Sequence, residues 1–193
     1  MDDDDVSRRG MLTGAASAVA VMSAPLRALS KTTDNVRVAV GATSEARAMA
    51  ELTSKALSKA GFKTVLVAAP SDGDAIADIA AGHLHVHPNL IRTGAESQLR
   101  MAISMQRVRS LGGRRNNRSG ETAMKIIWPG MKRKWSNAQK LLKRMIVSDE
   151  IVAALAAKID AGEAPDAVIK AWWRANHDAW SPWVAASKNW MKP

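Results

Sequence analysis

The chain has 193 residues, no cysteine, 28 lysines and arginines against 18 aspartates and glutamates, and a formal charge of +10. With 47% hydrophobic and 24% charged residues it has the composition of a globular domain rather than a disordered segment. The missing cysteine excludes disulfides, thiolate metal sites, a cysteine nucleophile and a lipid-anchored cysteine. The aromatic residues are lopsided, with Phe62, no tyrosine and seven tryptophans that all follow residue 127.

Residues 1–30 read as an export signal. Four aspartates precede Ser7-Arg8-Arg9-Gly10-Met11-Leu12, and an uncharged apolar stretch runs from Met11 to Pro25 before Ala28-Leu29-Ser30. That stretch is shorter than the roughly 20 residues that cross a bilayer. The Arg8-Arg9 pair resembles the twin-arginine pattern Ser-Arg-Arg-x-Phe-Leu, with Met11 in the place of Phe. The mature chain is expected to start near Lys31 and to lie in the periplasm.

Beyond residue 30 the charge is concentrated in one place. Residues 31–91 carry six bases and six acids, residues 92–147 fourteen bases and two acids, and residues 148–193 five bases and six acids.

Residues 31–91 read as an α/β segment. Val36-Arg37-Val38-Ala39-Val40 alternates and is β-branched, and Gly41 stops it. Ser44 is expected to cap a helix with Glu45 in its first turn, its buried face carrying Ala46, Met49, Leu52, Ala56 and Leu57 as far as Gly61. Phe62 to Ala69 reads as a second strand, closed by Pro70-Ser71-Asp72-Gly73, and Asp74 opens a short helix that ends at Gly82. His83 to His87 alternates as a third strand ended by Pro88. This β-α-β-α-β order predicts a short parallel sheet with helical crossovers.

Residues 92–123 hold seven arginines and Gly112-Gly113, and show neither helical nor strand period throughout. Leu99, Met101, Ile103, Met105 and Val108 could form a short strand or helix, and the segment as a whole reads as an irregular, Arg-rich linker. Residues 124–193 read as helical. Ile126-Ile127 leads into the turn Trp128-Pro129-Gly130, and Trp135, Ala138, Leu141, Leu142 and Met145 make an amphipathic helix. Ser148 caps a helix through Ile151, Leu155 and Ile159 to Gly162, and Pro165 opens another that ends at Asn176-His177-Asp178. Trp180-Ser181-Pro182-Trp183 is read as the start of a tail reaching Trp190.

Three clusters could carry chemistry. On a strand, His83, His85 and His87 would project to one face at steps of about 7 Å, too wide and too poor in carboxylates for a metal site. The tryptophans could cage a cation through their ring faces, although their helical spacing beside Ala and Ile is that of core packing. The arginines of 92–123 could meet phosphates, but no aromatic stands among residues 92–127 to stack a base, so nucleic acid is not expected as a partner. With no Gly-rich phosphate loop, Gly-x-Ser-x-Gly elbow or His-Glu-x-x-His, the chain reads as a non-enzyme, without cofactor or metal.

Two stretches resemble a known family, the substrate-binding proteins of ABC importers for glycine betaine, choline and proline betaine. One is VRVAVGATSEARAMAELTSKALSKAGFKTVLV with AGHLHVHPNLI, the other WPGMKRKWSNAQKLLKRMIVSDEIVAALAAKIDAGEAPDAVIKAWWRANHDAWSPWV. The resemblance implies an α/β fold, a partial periplasmic-binding-protein-like lobe, with residues 31–91 forming its N-terminal segment and 124–193 completing it. It also implies a quaternary amine ligand, transport through a membrane permease, and a role in osmoprotection. The chain departs from the pattern in three places. Ala42 or Thr43 stands where an early cage aromatic is usual, His85 and Ile91 replace an Asp and a Trp, and residues 92–123 stand in place of the second lobe. A lobe missing in the middle implies weak or lost ligand binding. By the rule that open parallel sheets bind ligands beyond their carboxyl ends, Thr43, Ser44, His87 and Asn89 are the candidate ligand-binding residues. The alternative is a basic exported adaptor that docks on anionic lipid or polymer, and a third reading is a decayed frame with no activity.

Overall fold

The structure is a computed structural model that describes residues 35–91, 95–115 and 120–188. The export signal of residues 1–30 lies outside the described residues. The elements appear in the order β-α-β-α-β-α-β-β followed by five helices.

β1 (Val36–Val40) sends Val36 and Val38 into one apolar cluster and Ala39 into another, so the strand is covered on both faces. α1 (Ser44–Lys59) starts one residue away from the expected cap. Thr43, in extended backbone, accepts a 3.1 Å hydrogen bond from the Ala46 amide on its Oγ1, whereas Ser44 is already helical. β2 (Thr64–Ala68) lies parallel to β1 from Val36↔Thr64 to Val40↔Ala68. α2 (Asp72–Ala81) is capped by Ser71 and ends on Gly82 at φ 76°, the left-handed conformation that glycine adopts without strain.

β3 (Val86–Ile91) differs from the expected strand, starting later and running through Pro88. Proline is tolerated because it falls in a bulge between His87 and Leu90, where no ladder donor is required. His83 instead turns back on α2, its amide donating to the Asp78 carbonyl at 2.8 Å and its ring nitrogen lying 3.4 Å from the Asp78 carboxylate. The three histidines therefore do not form one row on one strand face.

The reading of 92–123 as irregular is overturned in its described part. α3 (Glu96–Ser104) packs against α2, and β4 (Arg109–Arg115) pairs antiparallel with β5 (Thr122–Ile127). The sheet order is β2-β1-β3-β5-β4, so three parallel strands are extended by an antiparallel hairpin. β4 escapes a pattern search because it is an edge strand of Arg, Gly and Ser with no apolar alternation.

The helical region is longer than expected. The amphipathic stretch divides at Trp135 into α4 (Met131–Lys134) and α5 (Ser136–Arg144). α6 (Asp149–Asp160) has its Ser148 cap and α7 (Pro165–Ala175) its leading proline. The expected tail is instead helix α8 (His177–Lys188), with Pro182 inside it. Its anchor is aromatic. Trp173 and Trp180 stack at 4.3 Å, the Trp180 indole donates to the Trp173 carbonyl at 2.8 Å, and Trp183 lies parallel to Trp172 at 6.2 Å. Trp173, Trp180 and Trp183 are buried, which makes them core rather than cage.

One apolar cluster joins β1 and β3 to α1 and α5 through α8, and a second joins the other sheet face to α2 and α3. The result is a mixed sheet between two helical layers. No helix among the described residues is long and apolar enough to cross a membrane.

Candidate functional site

Parallel strands β1, β2 and β3 all end at one sheet edge, and the turns that leave β1 and β2 enter α1 and α2 there. Between them opens a cleft of about 490 Å³, bordered by Thr43, Ser71, Asp72, Asn89, Ile91 and Glu121. Gly41 makes the first wall possible. A Cβ at this position would stand 2.8 Å from that of Ala46 and 3.8 Å from His87 Nε2, so only glycine lets the β1–α1 turn sit this close.

Two helix N-termini face the cleft through their capping residues, Thr43 and Ser71. The amide ends of these helices carry partial positive charge. Because Thr43 Oγ1 accepts from the Ala46 amide, its hydroxyl hydrogen is available to donate. Two carboxyl groups share the cleft, Asp72 in the first turn of α2 and Glu121 just ahead of β5. Burial raises the pKa of Asp72, the Ile91 amide donating to Oδ2 at 3.1 Å opposes the rise, and Glu121 adds to it. One cleft thus presents donors and acids together, the charge layout that suits a zwitterion or a small cation.

The four candidate residues separate. Thr43 and Asn89 lie on the cleft. His87 is not a lining residue of the cleft: it is 1% exposed, packed against Gly41 and Asp72, with Nδ1 accepting from the Asn89 backbone amide at 3.3 Å. Burial lowers its pKa to about 4, so the ring is neutral at neutral pH, and its other nitrogen faces Asp72 Oδ1 at 3.6 Å. Ser44 is not on the cleft: one step further round the helix, it donates its hydroxyl to Asp160 at the end of α6. Asn89 is 2% exposed, its Oδ1 accepts from Arg114 Nη2 at 3.1 Å, and its side-chain nitrogen Nδ2 has no partner among the described residues. Arg114 is in turn held by the Asp149 carboxylate.

Two residues of the cleft escaped the sequence reading. Asp72 could have been found by applying the strand-end rule to β2 as well as β1 and β3. Glu121 could not, because it reaches the cleft only through the unrecognised hairpin.

Among the described residues no tryptophan borders this cleft. Trp128 and Trp135 gather with His85 elsewhere, the imidazole 5.6 Å and 4.7 Å from the two rings, and Lys134 Nζ stands 4.5 Å above Trp135. That ring face already holds a cation of the protein's own. Among the described residues no three His, Cys, Asp or Glu side chains gather to hold a metal ion.

No protein-family model matches the chain. Solved structures do resemble it. Lactococcal OpuAC, in a closed-liganded conformation with glycine betaine, superposes with a TM-score of 0.65 at 10% identity, over 79% of this chain and 100% of the other. An ABC-transporter choline-binding protein in complex with choline gives 0.69 at 11% identity, over 81% and 97%. A choline-binding protein in an unliganded semi-closed conformation gives 0.65 at 11%, over 78% and 91%. The chain has the fold of these glycine betaine- and choline-binding structures.

Proposed function

We propose that this protein is the solute-binding component of an ABC importer for quaternary amines of the glycine betaine or choline type. It would receive the ligand outside the cytoplasm and hand it to a membrane permease, with no chemistry of its own. The observation that carries this reading is the strand-end cleft, where Asp72 and Glu121 border one space with Thr43 and two helix N-termini, within a fold shared with betaine- and choline-bound structures. A methylated ammonium cannot donate ordinary hydrogen bonds, so it is attracted by negative charge or by ring faces, and here the charge is present and the rings are not. The carboxylate of a betaine would meet the Thr43 hydroxyl and the amide ends of α1 and α2, with Asn89 as wall and His87 buried against Gly41 and Asp72.

In the same reading, residues 1–30 export the chain to the periplasm through a twin-arginine-type signal. Residues 92–123 take the place of a second lobe, which leaves the cleft covered on one side only and the affinity weak. Calorimetric titration of the chain from Lys31 onward with choline and with glycine betaine tests this. Saturable binding is expected, with Asp72→Asn weakening choline at least tenfold. No saturable heat with either ligand at millimolar concentration would overturn it.

The rival reading, a basic adaptor for anionic lipid, is favoured by one surface. Met101 and Met105 are 60% and 54% exposed on and just after α3, near the exposed Arg100. Binding to anionic vesicles that fades with salt and ignores choline would establish it instead.

A further inference from the structure

The central strand of the hairpin is disturbed on both sides at one level. On β3, His87 opposes Ile126 and Leu90 opposes Met124, so Pro88 and Asn89 share the step opposite Lys125. On β4, Ser110 opposes Ile126 and Gly113 opposes Met124, so Leu111 and Gly112 share the same step. Lys125 is therefore flanked by two bulges, each placing two residues against one. Bulges turn side chains away from the regular pleat and are common beside binding sites. Gly112 accommodates the distortion at φ 108°, and at Gly113 a Cβ would stand 2.8 Å from the Thr122 methyl.

Beneath the bulges lies a cavity of about 260 Å³, whose polar lining is Asn89, Arg114, Lys125 and Lys143 and whose apolar walls include Met49 and Met145. Among the described residues no carboxylate lines it. Lys125 donates from Nζ to the carbonyls of Leu142, at 2.7 Å, and Met145, which uses two of its three hydrogens. Those acceptors are neutral, and among the described residues no carboxylate pairs with Lys125. Burial accordingly lowers its pKa to about 8. Arg114 already has Asp149 as counter-ion, which leaves Lys125 as the inner cation to be balanced. The neighbouring Asn89 amide nitrogen is buried without a partner among the described residues. An unused buried donor beside an uncompensated cation is unfavourable in an empty cavity and is relieved by an anion.

We propose that this cavity binds a small monocarboxylate with a compact apolar body, its carboxylate taken by Lys125 Nζ and the Asn89 amide and its body packed on Met49 and Met145. The one inner cation left unbalanced matches a single negative charge better than a phosphate dianion, and the apolar walls match an organic body. Lys143, exposed on α5, supplies positive charge at the rim. The site is separate from the quaternary amine cleft, although Asn89 borders both.

Methyl NMR of the methionine-labelled full chain, titrated with sodium benzoate at fixed ionic strength, tests the proposal. The Met49 and Met145 methyls should shift saturably, while the exposed Met101 and Met105 stay in place. Neutral benzamide should produce at least tenfold weaker binding, and Lys125→Met should weaken benzoate by a similar factor. Shifts confined to Met101 and Met105, an absence of saturation, or equal binding of benzamide would each overturn the site. The last three readings use the unaltered chain, so they decide the matter even where Lys125→Met does not fold.

Discussion

In β1 four of five residues are buried, whereas none of the seven in β4 reaches that state, although both belong to one sheet. The parallel half is held by apolar contact. Val36 and Val38 meet Leu52 and Leu57 of α1 in the larger cluster, and Ala39 meets Ile76 and Ile79 of α2 in the smaller one. In the hairpin, β5 still places Ile126 and Ile127 in the two clusters, but β4 is tethered largely by polar contacts. Lys125 ties β5 to the end of α5, and Arg114 ties β4 to both Asn89 of β3 and Asp149 at the start of α6. Non-directional burial tolerates small shifts in geometry, while a few charged contacts depend on protonation and on their partners. The two halves should therefore fail under different perturbations.

The largest difference should appear on truncating the core. Leu52→Ala, at a fully buried site in α1, is expected to cost about 2–5 kcal/mol, and Leu111→Ala, half-buried in β4, less than half of that. Chemical denaturation of both variants measures this, and equal costs would erase the distinction.

Next in size are two pH limbs. Burial holds His87 at a pKa of about 4, and burial with Arg37 and Lys134 nearby holds His85 there too, against 6.5 in the unfolded chain. Between those values the unfolded chain binds more protons, so stability falls as pH drops from about 6.5 to about 4. Lys125 has the same sign at the other end. With a folded pKa of about 8 against 10.5, stability rises with pH across that window. Each group can contribute at most on the order of 3 kcal/mol. His87→Gln should reduce the acid limb to the share of His85 and leave the alkaline one, and Lys125→Met should flatten the alkaline limb and leave the acid one. A single variant that flattens both would show the two regions to be one electrostatic unit.

Smaller effects are expected at the cleft. Gly41→Ala drives a Cβ into Ala46 and should cost about 1–3 kcal/mol while weakening choline binding. Thr43→Ala removes the α1 cap and should cost about 1 kcal/mol, with betaine weakened more than choline because only betaine has a carboxylate to place there. Equal losses for the two ligands would place the carboxylate elsewhere.

The order β1-α1-β2-α2 and the helices α6 and α7 were legible in the chain itself. Valine alternation, the Ser148 cap, Pro165 and the glycines at 61 and 82 act within a few residues of where they stand. The strand-end rule likewise named Thr43 and Asn89, two residues that border the cleft. Three features depended on partners distant in sequence. β4 is a strand because β5 pairs with it, its own composition giving no period. β3 passes through Pro88 because a bulge removes the need for its amide, and α8 forms around Pro182 because Trp180 and Trp183 find Trp173 and Trp172.

The candidate sites divide in the same way. Asp72 sits in a turn that the sequence marks, but Glu121 comes to the cleft, and Asn89 and Lys125 to the cavity beneath the bulges, only through the hairpin register. Ser44, which looked equivalent to Thr43 in the chain, is drawn off by Asp160, a residue 116 positions away. The amino-acid order alone determined that β1, α1, β2, α2, α6 and α7 extend or coil, since their propensity and capping are settled by neighbours. Tertiary structure decided which side chains meet and which polar groups stay unmatched, because burial and pairing depend on what the rest of the chain packs against them.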